Sequence, residues 1–331
     1  MRKRVLFLTN EVAGTGTSVK KSLPIITSLT LAGCAVTVFP ILPEQKLISE
    51  DIIHDEFSEE VRSHYDMIAC CGGDGTLHHV VESLVHEKLH IPLMYYPAGT
   101  TNDFAKSLKI PDTVEKISAL VHNGSIFYYD IGRFNHQCFN YIAAFGAFTE
   151  VSYSTDQSFK NAFGYAAYVL KGISTVGDSL SCRCHMKVTH DNITEEDDYI
   201  FGSVSNSTSV GGFSSGSLLD AHLNDGKFEI MLIRAPKDFN DITKLLQSML
   251  RYANASMHDD ADMKSLSDND FIQFFHASQI TFDAENPVKW TLDGEYGGKP
   301  KHVAIRNLHK RIGIYVPKEI PASTVRKGVQ D

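Results

Sequence analysis

The residues best suited to chemistry lie in two glycine-containing stretches and one late carboxylate. Gly72-Gly73-Asp74-Gly75-Thr76-Leu77 follows the apolar run Met67-Ile68-Ala69-Cys70-Cys71, and Leu77, Val80, Val81, Leu84 and Val85 continue with helical spacing. Glycines let backbone N–H groups approach a polyphosphate closely, and the positive end of the following helix favours anions. A carboxylate at Asp74 beside phosphates calls for a divalent cation or a proton in flight between them, which is magnesium–nucleotide chemistry. A tight strand-to-helix turn uses the same residue types, so this motif alone leaves both readings open.

Pro97-Ala98-Gly99-Thr100-Thr101-Asn102-Asp103 repeats the pattern: small residues, hydroxyls that can donate to phosphate oxygens, and a carboxylate where a helix begins. Asp103 taken singly is equally well explained as a helix cap. Asp130 ends a further strand, so three carboxylates are expected at one sheet edge, where they need metal, water or protons to coexist. Late in the chain, Trp290-Thr291-Leu292-Asp293-Gly294-Glu295-Tyr296 reads as a strand ending in an Asp-Gly hairpin turn, whose tip can hold Glu295 out as a general base. We expect Asp74 and Glu295 to face one cleft wide enough for a triphosphate and an alcohol. The turn Asn224-Asp225-Gly226 suits a hard cation but stands equally well without one. His79, His86 and His90 recur on one helical face and read as a solvated stripe rather than a zinc site. Lys160 and Lys171 share a side of a helix expected over residues 161–175, suited either to a membrane surface or to ordinary snorkelling.

The elements that must position these groups follow from periodicity. Apolar runs at 4–8, 35–39, 67–71 and 91–96 alternate with helical patterns at 18–31, 48–64 and 77–88, which predicts a parallel sheet covered on both faces, with ligands at the carboxyl ends of its strands. In the first helix Leu23, Ile26, Leu29 and Leu31 carry the apolar pattern. Beyond residue 132 strands dominate, at 137–145, 181–188, 198–205, 228–233, 279–282, 288–292 and 303–305, broken by helical patterns at 161–175 and 238–252. The expected fold class is α/β plus β: an α/β domain over 1–131, rejoined by a last strand within 306–322, and a β-sandwich over 132–305. Residues 323–331 are expected to form a disordered tail. With 331 residues there is room for two cores, and a formal net charge of -9 argues against a general nucleic-acid binder. No stretch approaches the roughly 20 apolar residues of a membrane span, and the apolar run at the start is too short for a signal peptide, so a cytoplasmic protein is expected. The six cysteines sit mostly in apolar runs, and Cys182 and Cys184 lack zinc-ligand spacing.

Taken together, Gly72 to Leu77, Gly99 to Ala105, Tyr129-Asp130-Ile131-Gly132 and Leu292 to Gly298 resemble the diacylglycerol kinase catalytic family, most closely its soluble bacterial members. The resemblance implies an ATP-dependent lipid kinase that converts diacylglycerol to phosphatidic acid. Its fold would pair a nucleotide-binding domain similar to those of NAD kinases and phosphofructokinases with a β-sandwich. Carried over by position, Asn10, Gly14, Gly73, Asp74, Gly75, Thr76 and Thr100 would contact ATP. Asp74, Asp103 and Asp130 would form an acidic network around Mg2+ and ATP, and Glu295 would be the catalytic base. Asp225, with the carbonyls of His222 and Lys227, would hold a structural Mg2+. The partner would be a membrane lipid reached by peripheral contact, with Lys171 placed to meet anionic lipid; no nucleic acid is implied, and a homodimer stays open. The chain departs from the family pattern at Glu11, Ile41 and His78-His79. The alternatives are a kinase of the same fold acting on a sphingoid base, a prenol or NAD, or a nucleotide-binding module without turnover.

Overall fold

The computed structural model describes residues 2–10, 17–42, 47–58, 64–99, 102–146, 183–206, 209–210, 213–214, 222–238, 240–241, 243–245, 247 and 271–318. The helix expected at 161–175, with Lys160 and Lys171, and the tail at 323–331 lie outside these residues, as do Cys182 and most of 238–252. In chain order the elements are β1 (Arg4–Asn10), α1 (Thr17–Leu31), β2 (Ala35–Ile41), α2 (Ser49–Glu56), β3 (Met67–Gly72), α3 (Asp74–His86), β4 (Leu93–Pro97), α4 (Asp103–Ser107), α5 (Val114–Asn123) and β5 (Ser125–Phe134). Strands follow: β6 (Gln137–Phe139), β7 (Ile142–Gly146), β8 (Cys184–His190), β9 (Ile193–Ser205), β10 (Ser209–Val210), β11 (Phe213–Ser214), β12 (Phe228–Arg234) and β13 (Ile272–Ala277). The last are β14 (Gln279–Ala284), β15 (Trp290–Leu292), β16 (Glu295–Tyr296) and β17 (His302–Val316). The chain divides into two compact units, Met1–Ile131 with His309–Asp331, and Gly132–Leu308. The fold class is α/β plus β.

In the first unit β1 pairs in parallel with both β2 and β3, and β3 with β4, which gives the order β2-β1-β3-β4 followed by the far end of β17. The chain leaves β1 for one side and returns on the other, so β1 and β3 flank a topological switch point, where open α/β sheets bind ligands. Val5, Phe7, Met67, Ala69 and Cys71 point to the face covered by Ile25 and Leu29 of α1 and Ile117, Leu120 and Val121 of α5. The alternate residues Leu6, Leu8, Ile68 and Cys70 are equally buried, on the side served by α3 and its neighbour α2. Such continuous apolar strands are the mark of a sheet covered twice. No helix among the described residues is long and apolar enough to cross a membrane.

Several expected boundaries are corrected. Helix α1 buries Ile25 and Leu29, whereas Leu23 and Leu31 are exposed, because the face toward the sheet is set by the 18, 22, 25, 29 steps. Helix α2 ends at Glu56 rather than near 64, where the Ser58 hydroxyl donates to the Asp55 carbonyl at 2.8 Å and competes with a further turn. Helix α5, absent from the periodicity reading, starts at a Thr113 cap that accepts from the Lys116 N–H. The strand expected at 303–305 and the last strand expected within 306–322 are one strand, β17, which passes through a left-handed residue at Lys310. The strand expected over 137–145 is broken into β6 and β7 at Asn140-Tyr141.

In the second unit β7, β9, β8, β14 and the start of β17 pair in that order, with β15 and β16 beyond β7, while β12 pairs β9 and β13. The one tryptophan of the chain, Trp290, is 1% exposed and lies with its ring centroid 4.8 Å from Phe145, 5.1 Å from Phe134 and 5.1 Å from Phe282. This aromatic cluster fixes the strand that runs into the Asp293-Gly294 turn.

Helix α3 ends at a Lys88 in the left-handed region (φ 56), with the Leu89 N–H donating to the Leu84 carbonyl at 2.9 Å. Arg311 of β17 then donates to the carbonyls of Leu89 at 2.8 Å and Leu84 at 3.1 Å, so a cation closes the negative end of the helix. Replacing Arg311 by Ala should lower the unfolding free energy by about 1–3 kcal/mol, read as a lower urea midpoint at unchanged slope.

Candidate functional site

The glycine loops meet at the carboxyl ends of β3 and β4. These strands are neighbours in register, with Gly72 opposite Pro97, and the Ala98 N–H donates to the Gly72 carbonyl at 2.8 Å. Beyond that bond the backbones of Gly73 and Gly99 come together so closely that a Cβ on Gly99 would stand 2.7 Å from the Gly73 Cα. A Cβ on Gly72 would strike the Thr76 side chain at 2.5 Å. No side chain other than hydrogen fits at these points.

Helix α3 springs from this contact. Gly73 is its N-cap, extended at φ -85 and ψ -176, and supplies no side-chain cap, so the positive end of the helix points out of the loop without one. Asp74 opens the helix and is half-buried, with its Oδ1 shielded from solvent. Thr76 is buried, and its Oγ1 accepts from Asn10 Nδ2 at 2.8 Å, which ties the end of β1 to the first turn of α3 across the switch point. Asn10, Gly73, Asp74, Gly75 and Thr76 are therefore brought together. Gly14 and Thr100 lie outside the described residues, and Asp103 is described only as the first residue of α4. The donor set, glycine backbone and helix-terminal N–H groups with one carboxylate, fits a nucleotide phosphate accompanied by a divalent cation.

Two residues that shape this loop carry no signal of their own in the spacing. Asn102 is left-handed (φ 50), and its side chain accepts from the Gly99 N–H at 3.0 Å and donates to the Gly99 carbonyl at 2.7 Å. The buried Tyr95 hydroxyl donates to the Gly72 carbonyl at 3.1 Å. Lys21 Nζ donates to the Pro97 carbonyl at 2.7 Å. The Cys71 thiol, at the end of β3, is pushed up to about 11 by burial, against the opposing effects of the Ser18 hydrogen bond, Lys21 and the Thr9 hydrogen bond. It stays protonated at neutral pH and is no nucleophile.

Asp130 is 0% exposed, and one of its oxygens braces the backbone of β17, since Oδ1 accepts from the Lys310 N–H at 2.7 Å and lies 3.0 Å from His309 Nδ1. It thereby fixes the left-handed step of that strand.

In the second unit, Asp293 and Gly294 have φ 52 and φ 91, the two left-handed residues of a two-residue hairpin turn. Leu292 pairs Glu295 and Thr291 pairs Tyr296 across it, and both Glu295 and Tyr296 are exposed. The buried Asp293 carboxylate accepts from the N–H groups of Asn140 at 2.6 Å, Tyr141 at 2.9 Å and Ile142 at 3.1 Å, and from Asn140 Nδ2 at 3.1 Å. These bonds explain the break between β6 and β7. Asp293 is thus the residue that holds the hairpin carrying Glu295, a role that the Asp-Gly signal does not reveal. In the turn before β12, Asp225 Oδ1 accepts from the Lys227 N–H at 3.0 Å, and the Lys227 carbonyl accepts from Asn307 Nδ2 at 3.4 Å. The carboxylate keeps further lone pairs of the kind hard cations take, and His222 precedes it in the same turn.

A family model for the diacylglycerol kinase catalytic domain matches residues 4–134, which span β1 to β5. A diacylglycerol kinase of Bacillus subtilis is 30% identical over 262 residues, 79% of this chain and 81% of that protein. The chain belongs to the diacylglycerol kinase family. A second relative, a diacylglycerol kinase of Staphylococcus saprophyticus, is 25% identical over 97% of both chains. The crystal structure of a diacylglycerol kinase from Bacillus anthracis has a TM-score of 0.67 at 20% identity, covering 95% of this chain and 97% of that one, and shows the shared fold. Membership places the chain among kinases, with Gly72 to Thr76 inside the matched segment.

Substituting Gly99 by Ala should force the two loops of this kinase apart, lowering the unfolding free energy by about 1–3 kcal/mol and weakening nucleotide binding in a calorimetric titration. Asp293→Ala strands three N–H donors and should cost about 3 kcal/mol or more in urea denaturation.

Proposed function

We propose that this family member is an ATP-dependent lipid kinase that transfers the γ-phosphoryl group to the free hydroxyl of diacylglycerol, giving phosphatidic acid. The observation that carries this reading is the glycine-on-glycine contact at the ends of β3 and β4, with a helix N-terminus that lacks a side-chain cap and Asp74 beside it. ATP brings the phosphoryl group, and Mg2+ bound with it neutralises phosphate charge during transfer.

The chain's own residues do the rest. Backbone N–H groups from Gly73 to Thr76 cradle phosphate oxygens, and Asn10 holds Thr76 in place for them. Gly14 and Thr100 are assigned as further nucleotide contacts. Asp74 directs the cation, with Asp103 and Asp130 completing the acidic network. Glu295, exposed on a hairpin whose base is buried by Trp290 and tied by Asp293, takes the proton of the lipid hydroxyl. The hydroxyl oxygen then forms the new bond to phosphorus, the bond to the β-phosphate oxygen breaks, and ADP leaves. His222, Asp225 and Lys227 are assigned to a second, structural Mg2+. The lipid is reached by peripheral contact with the membrane surface, for which Lys171 supplies a cation.

The test is incubation of the full chain with labelled ATP and Mg2+ beside detergent-dispersed diacylglycerol, a sphingoid base, a prenol or NAD. Labelled phosphatidic acid is expected. Label in one of the other acceptors alone overturns the substrate, and nucleotide binding with no labelled product overturns turnover. Glu295→Gln should lower the rate by about 100-fold or more while ATP affinity is kept.

A further inference from the structure

Helix α3 carries a second constellation that phosphoryl transfer does not use. His78, His79 and Glu82 each offer one ligand atom, and these atoms all lie within 4.8 Å of one another. The exposed histidine stripe at His79, His86 and His90 expected from spacing misses this grouping, because the partner of His79 is its own neighbour His78 together with Glu82 one turn on. His78 is 6% exposed, and the rings of His78 and His79 meet edge-on at 5.3 Å between centroids. His78 Nε2 stands 3.9 Å from Glu82 Oε2, beyond hydrogen-bond range and close to the spacing of two ligands sharing one small cation.

We propose that His78, His79 and Glu82 form a binding site for a divalent d-block cation of the zinc class. Two imidazoles and a carboxylate are the ligands of zinc-type ions, whereas magnesium prefers oxygen donors alone. Metal–ligand distances of about 2.0–2.2 Å put ligand atoms about 3.4 Å apart, so groups now within 4.8 Å of one another close by at most about 1.4 Å through side-chain rotation. All three stand on one helix, so the backbone already fixes their spacing, and burial of His78 restricts its ring. Exposed His79 and half-buried Glu82 leave the site open to solvent, with a fourth position for water. The cation would bind one helical turn after Asp74, on the helix that begins in the phosphate loop. Simple ion pairing predicts something different: a protonated His78 would attract Glu82, and His79 would contribute nothing.

The test uses the full chain in excess Mg2+, which occupies oxygen-donor sites, titrated with Co2+ followed by its visible absorption and then displaced by Zn2+. One equivalent is expected to bind at this site. His79→Asn and Glu82→Gln should each weaken it at least about ten-fold. Both spare the buried His78, and circular dichroism checks that they fold. Glu87→Gln serves as control, since Glu87 Oε1 joins His54 at 3.0 Å and His86 at 3.3 Å in a separate exposed cluster. Absence of Co2+ binding, or binding lost in Glu87→Gln and kept in His79→Asn, overturns the proposal. Because the readout is metal binding, its failure leaves the kinase reading untouched.

Discussion

The first unit depends on one steric constraint: two peptide backbones at the ends of adjacent strands touch where Gly99 has no room for a side chain and Gly73 has little. Parallel strands β3 and β4 bring Gly72 and Pro97 opposite each other, and the chain must then diverge into two helices from almost the same point. Gly73 and Gly99 make that divergence possible without separating the strands. Asn102, turned left-handed, folds its amide back onto Gly99 and holds the second loop, while Tyr95 holds the first from below. The result is a helix N-terminus with no internal cap, placed at the switch point of the sheet.

In the second unit a different balance operates. Burying the Asp293 carboxylate would cost several kcal/mol, yet it collects N–H donors from three successive residues whose strand is interrupted to supply them. The Trp290 cluster fixes one side of the hairpin and this carboxylate fixes the turn, so the exposed Glu295 stands on a rigid base. The neighbours that fix the position of Glu295 are sheet and core rather than a loop.

Much of this was legible in the residues. Strand and helix alternation announced the covered parallel sheet, and Asp293-Gly294 announced the hairpin turn. What stayed hidden depends on partners distant in sequence. Lys88 ends α3 in a conformation usually taken by glycine, and nothing local signals it. The buried face of α1 is chosen by the sheet, which prefers Ile25 and Leu29 over Leu23 and Leu31. The role of Asp293 depends on Asn140-Tyr141-Ile142, some 150 residues earlier. His79 looks like one member of a surface stripe with His86 and His90 until the helix brings His78 and Glu82 beside it.

Strand β17 closes the sheet that β1 opened, and its residues from His309 onward complete the first unit. As the polypeptide emerges from the ribosome, that unit therefore waits for a strand made long after β5: β4 lacks a neighbour on one edge, and α3 lacks Arg311 at its tail, until β17 has been made. The glycine loop after β3 is made long before the sheet beneath it is complete. Whatever shields that open edge in the interval, the strand-rich unit has the opportunity to assemble before the unit that precedes it.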